Sequence, residues 1–280
     1  MPSIAAGQRG TRHITSSIWP LAKRVLREAY RWGTGLIQVA KYPLIAYSKT
    51  RRRSFRLAAE ALRHQLPIVS LSSVINTKLT DEDRISLQAV PEHAHNCSIF
   101  ELFTLAALAR ALNPSLCLEI GTYDGRSALA IAANCNPQAR VMTMNLPPNY
   151  LKEHPDESQV VDVQLSAKVK SGERWAGRQE SHRIEQVLAN SLEFDFAAIG
   201  RPQLIFVDGA HDQRSVESDT DNALRIIDRQ KGVIAWHDAR DYGVRPVLNR
   251  LYGRGYPVSI IEHTNIAMIL FENGAAVRLV

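Results

Sequence analysis

From residue 99 onward the apolar positions fall into two alternating rhythms. Residues 99–112 repeat apolar side chains at helical spacing and stop at Asn113-Pro114. Residues 116–120 form a short apolar run that ends in Gly121. The alternation continues with a helix over 127–134, strands over 141–144 and 184–188, and a buried strand over 204–207. It ends with a helix over 215–228, a strand over 233–236, a helix over 244–252, and strands over 258–262 and 267–271 around a turn at Thr264-Asn265. Strands separated by helices pair in parallel and are covered on both faces. The last connection is too short for a parallel crossover, so the final pair is antiparallel. The expectation is an α/β domain with a seven-stranded, mostly parallel sheet and an antiparallel terminal hairpin. In such a sheet a ligand sits beyond the carboxyl ends of the strands, where the strand order reverses.

The chain before residue 99 follows neither rhythm, and its charge sets it apart. The 280 residues carry 34 Lys and Arg against 28 Asp and Glu. Residues 1–59 hold 12 of the basic residues and a single acid, Glu28, which leaves 22 basic and 27 acidic residues in the remainder. A mildly acidic body thus carries a strongly basic arm. Residues 18–32 read as an amphipathic helix, with Ser16 and Ser17 as caps and Pro20 in the first turn. Lys23, Arg24, Arg27 and Arg31 share one arc, and Leu21, Val25, Leu26 and Trp32 the other. Arg51, Arg52 and Arg53 add a second basic cluster. The arm fits a helix packed on its own domain, an anionic membrane surface, a larger assembly or a transit segment. No nucleic-acid motif accompanies the charge, so nucleic acid is the least favoured partner. The expected organisation is a basic helical extension over 1–60, a linker or helical cover over 61–98, and the α/β domain over 99–280. Cys97, Cys117 and Cys135 form neither a CxxC pair nor a Cys/His cluster. That suggests neither a zinc site nor a disulfide framework and favours a reducing, cytoplasmic setting, with peripheral attachment to a membrane's inner face as an option.

The chemistry-bearing residues gather at the predicted strand ends. LEIGTYDGRS, residues 118–127, runs from a strand into a helix; its glycines permit close backbone approach, and the helix start offers free N–H groups to an anion. It is not the dinucleotide GxGxxG pattern. FVDGAH, residues 206–211, and IAWHD, residues 234–238, each close a strand. Asp208, His211, His237 and Asp238 therefore converge on one edge, where they suit a general base or a hard divalent cation. The bland alternative is that Asp208 caps the next helix and His211 is a loop residue.

These segments, in this order and with GVRPVLN at 243–249, resemble the class I S-adenosylmethionine (SAM)-dependent methyltransferases, in particular macrocin-type and other sugar O-methyltransferases. The resemblance covers about residues 95–272 and implies a Rossmann-like fold. It implies that Glu119, Gly121, Tyr123, Gly125 and Ser127 serve the methionine and ribose side of SAM, with Asn145, Asn190 and Ser191 completing the cofactor site. It further implies catalytic roles for His211 and Asp208, and Mg²⁺ bound by Asp208, His237 and Asp238. Two positions depart from the family pattern. Asn145 stands where relatives carry the acid that takes the ribose hydroxyls, and Asn190 where they carry an acid near the adenine. Each amide keeps a hydrogen bond but loses its charge-assisted part, on the order of 1 kcal/mol, or about tenfold in affinity. Ala210 also replaces the second acid of a DGD-type metal motif. The function expected is O-methylation of a sugar, glycan-like or other small hydroxylated acceptor. The alternative is a decayed, non-catalytic scaffold joined to a membrane or assembly by its arm, and an oligomer is compatible with either. Residues 146–182 form a long polar insertion with Lys152, Glu153, His154, Arg174, Trp175 and Arg178, expected as the acceptor-selecting lid.

Overall fold

A computed structural model describes residues 66–157, 160, 162–164 and 170–279. The basic arm and its expected helix lie outside the described residues. Among the described residues no helix is long and apolar enough to cross a membrane.

The chain enters the domain through a two-residue strand, β1 (Ile68–Val69), and a short helical turn at Ser72–Ile75. Helix α1 (Ile99–Leu112) follows. Ser98 and Glu101 close a reciprocal capping box at its start, and Asn113, at φ 44°, ends it in the left-handed conformation. Leu102, Leu105, Leu108 and Leu112 are all buried. Then come β2 (Leu116–Ile120), α2 (Arg126–Asn134), β3 (Arg140–Asn145), β4 (Ile184–Leu188), β5 (Leu204–Val207) and α3 (Gln213–Ile226). The chain ends with β6 (Lys231–Trp236), α4 (Val244–Gly253), β7 (Ser259–Ile261), β8 (Ala267–Glu272) and β9 (Ala275–Val277).

The strands make one sheet in the order β1-β7-β8-β6-β5-β2-β3-β4, with β9 on β8. Strands β4, β3, β2, β5 and β6 run parallel, and β8 inserts antiparallel between β6 and β7. The expected seven strands and reversed finish are present. β1 and β9 extend the count to nine, because two- and three-residue strands are too short to show an alternating pattern. Side chains alternate between two cores. Leu118, Ile120, Ile205, Val207 and Trp236 pack with α3 and α4 residues such as Val216 and Val247, while Cys117, Val141, Leu204 and Phe206 pack with Leu105, Leu108 and Ile131 of α1 and α2. From β2 the chain winds outward through β3 and β4, then returns to β5 on the other side of β2. The ends of β2 and β5 therefore flank the crevice of a doubly wound sheet.

Candidate active site

Gly121 follows β2 directly at the switch point, with φ +101°. A Cβ on Gly121 would lie 2.0 Å from the Asp208 carbonyl oxygen, so only glycine lets the two strand ends approach this closely. Tyr123 and Gly125 also take positive φ, 48° and 88°, which folds residues 121–125 into a tight turn ahead of α2. Glu119 is fully buried one residue back from the β2 terminus, where the Thr143 hydroxyl donates to it. Burial pushes its carboxyl up to about 8. It sits beneath the turn and lines neither cavity described below.

The turn is also held from outside. Asp124, buried, accepts from the Arg126 backbone at 3.1 Å and from Arg174 Nε at 3.0 Å. A Cβ on Gly125 would fall 2.2 Å from the Trp175 ring. Arg174 and Trp175 belong to the insertion between β3 and β4. The space next to Gly125 is therefore occupied by a protein side chain, and the insertion is anchored on the turn.

Two cavities meet at Gly121. The larger, about 270 Å³, is lined by Ile120, Met144, Asn145, Tyr150, Asn190 and Ser191. Apolar walls with a few polar groups suit a nucleoside. Asn190 Nδ2 donates to the Tyr150 hydroxyl at 3.1 Å, and its Oδ1 accepts from the Leu192 backbone at 3.0 Å. Its amide thus bridges the β4 end to the insertion. The smaller cavity, about 20 Å³, touches Tyr123, Ser127 and Asp208. The residues present fit SAM: an adenosine-sized recess at the ends of β3 and β4 joins a narrow recess at the α2 start.

Beyond the β5 and β6 termini lies a compact charged cluster. His237 Nδ1 stands 3.0 Å from Asp208 Oδ1 and 3.3 Å from Asp238 Oδ2, and its Nε2 stands 3.3 Å from Glu101 Oε2. Burial works against the imidazolium, but the Asp208 carboxylate and the other acids around it raise the His237 pKa strongly. Asp238 has φ +49°, and Asn265 Nδ2 donates to its Oδ1 at 2.9 Å. Burial raises its carboxyl, but hydrogen bonds from His211 and His237 outweigh that and hold it well below the usual range. Burial raises Glu101 as well; the His237 hydrogen bond and the Asn265 and Ser98 backbone N–H groups bring it down to about 2. His211 lies between Asp162, 2.9 Å from Nδ1, and Asp238, 2.7 Å from Nε2. The Asp162 hydrogen bond, followed by that from Asp238, raises His211 to about 10.

The ligand atoms of Asp208, His237 and Asp238 lie within 4.8 Å of one another. They do not offer the octahedral oxygen shell that Mg²⁺ prefers. Both carboxylates already share an internal cation, His237, so no step below runs through a metal.

The structure brings Gly121, Asn145, Asn190 and Ser191 to one cavity, Gly121, Tyr123 and Ser127 to the other, and Asp208, His211, His237 and Asp238 to one cluster. It places Glu119 under the turn and Gly125 against Trp175. Sequence reasoning missed Glu101, Asp162 and Asn265. Glu101 had a signal as the fourth residue of an SxxE capping box; Asp162, inside a polar insertion, had none.

Residues 118–239 match the model of a methyltransferase domain family. A search of curated proteins finds no significant match to the sequence. Among solved structures, the chain is similar to the O-methyltransferase from Bacillus cereus in complex with SAH, at 17% identity and TM-score 0.44, covering 65% of this chain and 84% of that one. It is similar to the O-methyltransferase TomG from Streptomyces achromogenes in complex with SAM, at 17% identity and TM-score 0.46, covering 85% and 96%. A third is the SAH-bound methyltransferase PaMTH1 of Podospora anserina, at 16% identity and TM-score 0.43, covering 79% and 96%. Residues 118–239 are thus similar to a methyltransferase domain, and the order of the sheet that carries them is compatible with that likeness.

Proposed function

We propose that the protein transfers the SAM methyl group to a hydroxyl of a small acceptor of sugar or glycan type. The observation that carries this reading is the junction at Gly121 and Asp208, where a nucleoside-sized cavity meets the histidine–carboxylate cluster. Asn145, Asn190 and Ser191 would hold the ribose and adenine through hydrogen bonds, and Ser127, at the α2 start, the carboxylate. SAM supplies a methyl group bonded to a sulfonium, an electrophile that needs no further activation. His211 is the base: its neutral form takes the acceptor's hydroxyl proton at Nε2, after the acceptor displaces Asp238 from that nitrogen. Asp162 and Asp238 keep His211 protonated at neutral pH, so turnover rises as pH climbs toward about 10. His237 bridges Asp208 and Asp238 through Nδ1 and supplies positive charge without a metal.

A second reading is a cofactor-free scaffold. It is favoured by the two amides and by Trp175 against Gly125. Calorimetric titration with SAM tests both: micromolar binding supports the enzyme, and no heat at millimolar SAM supports the scaffold. SAH release across a panel of hydroxylated acceptors then tests the acceptor class. We also propose that the basic arm binds anionic lipid, read from the sequence alone; vesicle co-sedimentation with and without residues 1–53 tests it.

A further inference from the structure

Asp162 sits on the insertion, 49 residues before His211 in sequence, and grips it twice. Its Oδ2 accepts from the His211 backbone N–H at 2.9 Å, and its Oδ1 from ring Nδ1 at 2.9 Å. One carboxylate that binds both the main chain and the ring of a histidine fixes the rotamer and the tautomer together. An ordinary surface ion pair fixes neither. The neighbouring Val163 is buried and lines the larger cavity, which seats this part of the insertion. On the opposite side, a Cβ on Gly243 would fall 1.5 Å from the His211 carbonyl oxygen. The His211 backbone is thus wedged between the insertion and the start of α4, with Nε2 turned to Asp238.

We propose that Asp162 is a positioning residue for His211, supplied by the insertion, so that the base is oriented only while the insertion is docked. A base must have its proton-bearing nitrogen committed elsewhere if the other is to face the acceptor, and an orienting acid does this. With Asp162 on Nδ1–H, the free lone pair of neutral His211 is at Nε2. The catalytic meaning of this geometry rests on the O-methyltransferase reading above; the geometry itself does not.

The test is nitrogen–proton correlation spectroscopy of the full chain with isotope-labelled histidine, the His211 signals being assigned by their absence in His211→Gln. Wild-type protein should show a slowly exchanging Nδ1–H signal. In Asp162→Ala that signal should be lost, and in the isosteric Asp162→Asn it should exchange roughly tenfold faster, as loss of one charge-assisted bond implies. Asp162→Asn decides the matter where Asp162→Ala fails to fold. An Nδ1–H signal unchanged in the folded variants overturns the proposal. Calorimetry with SAM on the same samples separates the two readings. Absence of SAM binding by wild type sinks the enzyme, whereas loss of the His211 signal on removal of Asp162 still supports the positioning role.

Discussion

The switch point between β2 and β5 and the insertion between β3 and β4 lie side by side at the glycine turn, and they are built by different means. At the switch point backbone touches backbone: the Gly121 Cα faces the Asp208 carbonyl with no room for a methyl group. The insertion reaches back to the body with side chains, Trp175 to Gly125, Arg174 to Asp124 and Asp162 to His211, beside backbone hydrogen bonds from the Gly172 and Arg174 N–H groups to the Tyr123 and Asp124 carbonyls. The first kind of contact cannot yield without moving strands of the central sheet. The second can be made and broken one group at a time. A site that must hold its cofactor in a fixed place and still admit an acceptor uses both kinds of wall.

The largest effect should come from Gly121→Ala. The new methyl group meets backbone at 2.0 Å and the residue is held at φ +101°. The expected cost is about 3 kcal/mol or more, seen as a lowered denaturant midpoint, with SAM binding lost alongside. A change below about 1 kcal/mol would mean that the two strand ends are free to separate.

The same contrast explains what the sequence reveals. The sheet core is legible because burial on both faces forces runs such as Leu116–Ile120 and Leu204–Val207, and each ends at a residue whose chemistry stands out against them. Gly121, Asp208, His237 and Asp238 follow from that logic. The insertion has no such rhythm. Nothing in its composition distinguishes Asp162, which grips His211, from Asp156 or Glu153, which lie exposed. Glu119 was legible as a strand-end acid, but its depth was not. Alternation puts it on the Cys117 face of β2, where it is fully buried and the Thr143 hydroxyl of β3 donates to it.

Asn145→Asp should sharpen the comparison from the cofactor's side. Asn145 lines the larger cavity at the end of β3. A carboxylate there would strengthen hydrogen bonds from ribose hydroxyls, tightening SAM binding about tenfold in calorimetry. Weaker or unchanged binding would show that the ribose does not reach this strand end.

A subtler effect is the pH dependence of the link between insertion and body. His211, raised to about 10 by Asp162 and Asp238, holds its proton more tightly folded than unfolded. Its stabilising contribution is fully present below the ordinary imidazole value near 6.5 and is lost as pH rises through about 10. Thermal midpoints measured from pH 6 to 10.5 should therefore fall more steeply for wild type than for His211→Gln. Parallel curves for the two proteins would mean that the Asp162–His211–Asp238 contacts do not form in solution.

The smallest effect should come from Gly177→Ala, the insertion's counterpart to the first substitution. Gly177 also has positive φ, 71°, so an alanine there carries a conformational cost of about 1 kcal/mol. It differs from Gly121 in its surroundings, because a Cβ at Gly177 would meet nothing within 4 Å. Only the backbone cost remains, and a segment outside the sheet can relax part of it without disturbing the strands. SAM affinity should stay within about twofold of wild type and the denaturant midpoint should barely move. A loss comparable to that of Gly121→Ala would break the distinction between the two walls, since it would require the insertion to be as tightly determined as the switch point itself.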